Sequence, residues 1–115
     1  MLATGVDLIE VARVEEAVQR FGARFLDRVY TPAEQRDCSG RPTSLAARWA
    51  AKEAVSKALG IGIGDVRWVE IEVTRGPRGE PTLRFHGDAA ALVAARGWRT
   101  WSLSLSHTAD LAIAF

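Results

Sequence analysis

The sequence predicts an α+β domain in which an antiparallel sheet is packed against helices on one side. Three observations carry that class. Val14, Ala17, Val18, Phe21 and Phe25 recur at helical spacing after a short apolar N-terminal segment. The stretch RWVEIEVT (67–74) alternates in polarity, and RGPRGEP separates it from TLRFHG (82–87), as in a hairpin. RTWSLSLSH then alternates again before TAD turns the chain into LAIAF.

The first strand is expected around Gly5 to Leu8. From Glu10 the period becomes helical, and Gly22 leaves open a break into two helices. TPAEQRD (31–37) restarts a helix, with Thr31 as cap and Pro32 at the first helical position. CSGRPTS (38–44) reads as a loop ending in a Ser or Thr cap, and the next helix runs to Gly60, a residue suited to a left-handed stop. IGIGD is a turn. In the strand at 67–74, Val69, Ile71 and Val73 form one face and Trp68, Glu70 and Glu72 the other. DAAALVAARG is a short helix with Asp88 as cap and Gly97 as stop. Along the last alternating run, Trp101, Leu103 and Leu105 oppose Ser102, Ser104 and Ser106. The expected order is β-α-α-α-β-β-α-β-β, in a single domain spanning 1–115.

A net charge of +1 provides no global field for nucleic acid, so an anionic partner must be met by a local patch. Cys38 is the only cysteine, which excludes an intrachain disulfide and a cysteine metal cage and fits a reducing cytoplasm. The start MLATGVDLIEV lacks the basic and apolar regions of a secretory signal. No run approaches the roughly 18 apolar residues of a membrane span. The expectation is a soluble cytoplasmic domain with no membrane or nucleic-acid partner.

The helix holding RWAAKEAVSKALG (48–60) poses the chemical question. Ala47, Ala50, Ala51, Ala54 and Ala58 share one side, a methyl stripe that lets a sheet approach closely. Arg48 and Lys52 lie to one side of the remaining arc, Glu53 and Lys57 to the other, with Leu45, Trp49 and Leu59 between. Glu53 and Lys57, four apart, form either a surface pair worth about 0.3–0.5 kcal/mol or two parts of a phosphate site. The helix alone leaves both open. Asp7 sits among Val6, Leu8 and Ile9, where strand propensity disfavours it. It is either a strand-end cap or an acid facing the helix. With Glu53 it would make a sparse oxygen site for Mg²⁺.

These residues complete a pattern that resembles the holo-[acyl-carrier-protein] synthase group of 4′-phosphopantetheinyl transferases. The matching segments are GVDLIEVARVEEA (5–17), RFLDRVYTPAE (24–34), SLAARWAAKEAVSKALGIGIG (44–64), GEP (79–81) and SLSHT (104–108). They cover nearly the whole chain, and W-A-A-K-E-A-x-x-K with an upstream G-x-D is the specific part. Trp49 stands where other members often have Phe. The resemblance implies transfer of the phosphopantetheine arm of coenzyme A to a serine of an acyl carrier protein, in fatty-acid or polyketide biosynthesis. It further implies a homotrimer with active sites between subunits.

By the same resemblance, Asp7 and Glu53 hold Mg²⁺, with Mn²⁺ a possible substitute, and Glu53 and Lys57 are catalytic. The serine proton passes to Glu53 or to a metal-held water, and Lys57 neutralises the leaving phosphate. Arg48, Lys57, Ser104 and His107 contact the coenzyme, and the GIGIG turn with Gly62 and Gly64 borders its phosphoadenosine end. His107 has an equally good reading as a turn residue capped by neighbouring hydroxyls. Arg13, Arg20, Arg24 and Arg28 would share one side if residues 11–28 stayed helical. Such a run is ordinarily a solvated face; the resemblance makes it the dock for an acidic carrier protein, with Phe25 and Leu26 adding apolar contact. A catalytically silent module that only binds coenzyme or carrier, and a purely structural oligomerisation domain, are the competing readings.

Overall fold

The computed structural model describes residues 1–62 and 64–115; Ile63, within the expected IGIGD turn, lies outside the described residues. The chain runs β1 (Asp7–Glu10), α1 (Val11–Phe21), α2 (Ala23–Val29), α3 (Pro32–Cys38), α4 (Pro42–Leu59), a 3-10 turn (Trp68–Glu70), β2 (Ile71–Arg75), β3 (Pro81–Phe85), α5 (Gly87–Ala95), β4 (Leu105–His107) and β5 (Leu111–Ala114). The expected α+β class is found. The antiparallel strands divide, however, between a three-stranded sheet of order β1-β5-β4 and the hairpin β2-β3. In the larger sheet Leu8 registers with Ile113, and Leu105 with Ala114.

Helix α4 is the centre of the core. Its Ala46, Ala47, Ala50, Ala51 and Ala54 are buried in one cluster with Ile9, Val14, Val73, Ala112 and Ala114. Methyl-sized side chains allow a close approach, and at Gly5 it reaches its limit. A Cβ there would stand 1.9 Å from the Ala54 carbonyl oxygen and 3.1 Å from the Ala58 nitrogen. Glycine two residues before Asp7 is therefore a steric requirement.

The local signals held where a single residue controls the backbone. Gly22, at φ 54°, does break the helix between α1 and α2. Thr31 caps α3 reciprocally with Glu34: Thr31 Oγ1 accepts from Glu34 N–H at 3.1 Å, and Glu34 Oε1 accepts from Thr31 N–H at 3.0 Å. Gly60 ends α4 in the left-handed region at φ 73°.

Other expectations need correction. Helix α4 starts at Pro42 behind Arg41, which makes no side-chain cap, and not at a Ser or Thr cap. Proline suits the first helical position because its ring fixes φ and its missing N–H would have no intrahelical partner there. Cys38 lies at the end of α3 and is fully buried rather than looped out. The first half of 67–74 curls into the 3-10 turn, and both glutamates there are buried instead of solvated. Glu70 caps α5 from across the fold by accepting from Ala89 N–H at 2.9 Å, the role expected of Asp88. Glu72 accepts from Thr31 Oγ1 at 2.6 Å and pairs with His86 Nε2 at 3.0 Å.

The largest departure is Lys52. The sequence sets it beside Arg48 on the arc away from the alanine stripe, yet its side chain is wholly enclosed against Glu34, 2.8 Å away. Burial pushes the Lys52 ammonium below its ordinary pKa, against the pull of Glu34.

Candidate active site

Strand β1 and helix α4 bring an acid and a base together at the Gly5 contact. Lys57 Nζ donates to the Val6 carbonyl at 2.9 Å and to Asp7 Oδ1 at 3.1 Å. The Asp7 side chain is 17% exposed and that of Lys57 55%. The ammonium therefore answers Asp7, rather than Glu53 as a simple i,i+4 surface pair would have it. Glu53, one helical turn before Lys57, is half-buried. Burial raises the Glu53 carboxyl above its ordinary pKa, the charge of Asp7 raises it further, and Lys57 opposes both.

Two carboxylates thus stand within mutual influence, with one largely solvated ammonium to offset them. This under-compensated, oxygen-only donor set fits a hard divalent cation, which would relieve the repulsion that raises Glu53. No group of three or more His, Cys, Asp or Glu side chains suited to a metal occurs among the described residues. Remaining ligands would have to come from water and phosphate, as is usual for Mg²⁺.

The acidic pair opens on a cleft of about 420 Å³, also lined by Arg13 and Ala17 of α1, Phe25 of α2 and Trp49 of α4. Trp49 is held rigidly, its ring 5.9 Å from Phe25 and 4.2 Å from Trp68, both stacked. Phe25 is accordingly a wall of the cleft as well as a core contact. Arg13, Arg20, Arg24 and Arg28 are all exposed. They do not form one continuous helical ridge, because Gly22 turns the chain between Arg20 and Arg24. The arginines are split between two helices, and the Arg20 guanidinium lies over the Phe21 ring at 5.5 Å.

Arg48 is not brought to this face. It is buried on the Lys52 side of α4, 3.6 Å from Asp37, and its Nε finds no hydrogen-bond partner among the described residues. Arg41 and Arg75 both donate to the Asp37 carbonyl, at 2.8 and 3.3 Å, so three guanidinium groups gather on one residue. Gly62 N–H donates to Asp65 Oδ2 at 3.1 Å, and Gly64 has φ 124°, in the range that favours glycine. Both belong to the segment beyond the C-terminus of α4. Ser104 exchanges backbone hydrogen bonds with Phe115 and lines a separate cavity of about 780 Å³ beside Gly5 and Ala58. His107 is exposed on β4, opposite Ala112.

Reading the sequence missed Glu34 and Lys52. A signal was present: Leu45 and Leu59 stand seven residues either side of Lys52 and are buried with it, and T-P-A-E is a capping-box pattern. The gathering of Arg41 and Arg75 beside Arg48 has no local signal, since it depends on how α3, α4 and β2 pack.

Among the described residues no helix is long and apolar enough to cross a membrane. The family model described as the 4′-phosphopantetheinyl transferase superfamily matches residues 3–115. A holo-[acyl-carrier-protein] synthase of Herpetosiphon aurantiacus is 52% identical over 122 aligned positions, covering 100% of this chain and 96% of the relative. The Koribacter versatilis protein of the same name is 49% identical, covering 99% and 94%. Among solved structures, Helicobacter pylori holo-[acyl-carrier-protein] synthase in complex with coenzyme A superposes with a TM-score of 0.88 at 34% identity, covering 96% of this chain and 95% of that one. The Neisseria meningitidis synthase gives 0.87 at 32% identity, covering 97% and 93%. On the strength of this full-length match, the chain belongs to the 4′-phosphopantetheinyl transferase superfamily.

Proposed function

We propose that the chain is a holo-[acyl-carrier-protein] synthase that works as one domain. It transfers the 4′-phosphopantetheine arm of coenzyme A to a serine hydroxyl of an apo acyl carrier protein and releases adenosine 3′,5′-bisphosphate. The relatives' names and the coenzyme A held by the Helicobacter pylori structure support this reading. The observation that carries it is the meeting of Asp7, Glu53 and Lys57 at the mouth of a cleft walled by Arg13, Phe25 and Trp49.

Asp7 and Glu53 would hold Mg²⁺, or Mn²⁺ in its place, which when bound neutralises the coenzyme's pyrophosphate and eases departure of the leaving phosphate. Asp7 is held in position by the Lys57 hydrogen bond. Lys57, with more than half its side chain in solvent, has the freedom to turn toward the leaving group and meet its growing charge. Glu53 receives the serine proton directly or through water. Burial, which favours its protonated form, supports that role.

Arg13 and Arg28, with Arg20, Arg24 and Phe25, receive the acidic carrier on α1 and α2. The placement of Arg13 and Phe25 in the same cleft as the acidic pair supports this dock, because the incoming serine must reach the pyrophosphate. Leu8, Leu111 and Ile113 stand exposed on the sheet face away from α4, and this apolar face supports a homotrimer. In such an assembly Arg48, with Arg41 and Arg75, meets a phosphate of coenzyme bound to an adjoining protomer, while Gly62, Gly64, Ser104 and His107 border the nucleotide. The setting is lipid or polyketide biosynthesis in the cytoplasm.

The test is incubation with coenzyme A, Mg²⁺ and apo carrier proteins, followed by mass spectrometry of the carrier. A mass gain of one phosphopantetheine group is expected, and it should vanish on chelation of the metal. Absence of any gain with several carriers would leave a silent binding module.

A further inference from the structure

We infer that Lys52 and Glu34, enclosed together behind the site, are positioning residues that set the rotation of α4 about its own axis and so aim Glu53 at Asp7. The inference rests on the reading of Asp7 and Glu53 as joint ligands of a divalent cation.

The pair is completely enclosed, both side chains being 0% exposed. Each proton of the Lys52 ammonium has an acceptor: Glu34 Oε1 at 2.8 Å, the Trp68 carbonyl at 3.0 Å and the Ile71 carbonyl at 2.6 Å. Glu34 is as fully committed. Its Oε1 also accepts from Thr31 N–H and its Oε2 from Val73 N–H, each at 3.0 Å. One position of α4 is thereby tied to the start of α3, to the 3-10 turn and to β2. Enclosing two opposite charges commonly gains nothing in stability over apolar side chains of similar volume. Stability alone therefore does not account for the arrangement.

What the pair supplies is direction. Helix α4 meets the sheet through Ala47, Ala50, Ala51 and Ala54, and Gly5 packs against Ala54 and Ala58. Small, similar knobs determine how near the helix sits but only weakly how it is rolled. An ammonium with three stationary acceptors admits one roll. Lys52 immediately precedes Glu53, so holding one residue aims the other. A roll of about 10° moves a carboxylate roughly 6 Å from the helix axis by about 1 Å. Displacements of that size in a reacting constellation cost on the order of 100-fold in rate.

The experiment compares the wild-type enzyme with two variants, using transfer kinetics, thermal unfolding and Mn²⁺ binding followed by electron paramagnetic resonance in the presence of coenzyme A. Lys52→Met/Glu34→Leu removes both charges while keeping volume. It is expected to stay folded at a lower Tm, since the Thr31 and Val73 N–H groups and the Trp68 and Ile71 carbonyls lose these partners. With that, kcat should be lowered about 10- to 100-fold and the Mn²⁺ dissociation constant raised by a similar factor, the usual effect of losing groups that orient metal ligands. The carrier KM should stay within about twofold, because the pair ties α3, α4 and β2 rather than the arginine-bearing α1 and α2. Glu34→Asp keeps both charges but shortens the reach, and a smaller fall in kcat, about three- to tenfold, is expected. A pair serving only the fold would move Tm and leave kcat and Mn²⁺ affinity of the folded enzyme unchanged. Wild-type values of both quantities in either folded variant overturn the inference while leaving the transferase reading intact. Loss of fold in both variants overturns it as well. A wild-type protein that neither modifies a carrier nor binds Mn²⁺ instead refutes the transferase reading and takes this inference with it.

Discussion

Replacing Gly5 by alanine probes the close approach on which the acidic pair depends. The added Cβ would lie 1.9 Å from the Ala54 oxygen, 2.8 Å from the carbon bonded to it and 3.1 Å from the Ala58 nitrogen. These are backbone atoms inside α4, so no side chain can swing aside. A carbon–oxygen contact needs about 3.3 Å, and strand and helix must therefore part by roughly 1.4 Å. Overpacking of this kind costs about 1–3 kcal/mol. At about 4 °C per kcal/mol for a domain of this size, Tm should fall by roughly 4–12 °C. The effect on rate should be larger. Asp7, two residues on in β1, is carried away with residue 5, whereas Glu53 and Lys57 remain on α4. If Asp7 and Glu53 share one ion as proposed, separating them by about 1 Å is expected to cost on the order of 100-fold in kcat/KM. Tm is read by circular dichroism at one protein concentration, and transfer by mass spectrometry well below the variant's Tm. A Gly5→Ala enzyme with Tm within about 1 °C of wild type and a rate within about twofold would refute the steric argument and the geometry built on it.

Three other outcomes follow from the same geometry. Asp7→Asn and Glu53→Gln should each lower transfer by about 10²-fold or more; Glu53→Gln should meanwhile keep or raise Tm, since burial and Asp7 already hold that carboxylate above its ordinary pKa, and a large fall in Tm would contradict this. Arg28→Glu should raise the carrier KM, and raise it most at low salt; a carrier KM unchanged between about 50 and 300 mM salt would discard the proposed dock. Burial alone would raise the pKa of Glu72, but the Thr31 and His86 hydrogen bonds outweigh it and hold the carboxyl below its ordinary 4.5. Its stabilising contribution is therefore present above that value and lost as pH falls through the lower folded one. Glu72→Gln should cost about 1–2 kcal/mol at neutral pH and blunt this acid limb, so an unaltered acid-unfolding profile would count against it.

Much of the fold was legible because its signals are local. Gly22, Thr31, Pro32 and Gly60 act on their own backbone, through positive φ, a missing N–H or a side chain three residues from its partner. Where the signal was a pattern rather than a single residue, it misled in proportion to the burial of charge. The alternation of 67–74 sets Glu70 and Glu72 on the face opposite Val69, Ile71 and Val73. Although Arg67 is a local donor to Glu70, the donors Ala89, Thr31 and His86 that complete the burial of the two come from distant segments.

The site divides along the same line. Asp7, Glu53 and Lys57 are singled out as candidates by G-x-D and K-E-x-x-x-K, while the residues themselves leave a surface pair and a strand-end cap open and the resemblance implies the metal and phosphate roles. Which partner Lys57 takes, which way Arg48 points and why Lys52 is enclosed depend on contacts between residues far apart in the chain. Lys52 meets Glu34 across 18 positions and Lys57 meets Asp7 across 50. A side chain's own sequence neighbours carry no record of such a contact. Its cost in desolvation and its return in hydrogen bonds exist only once helix and sheet have closed on one another.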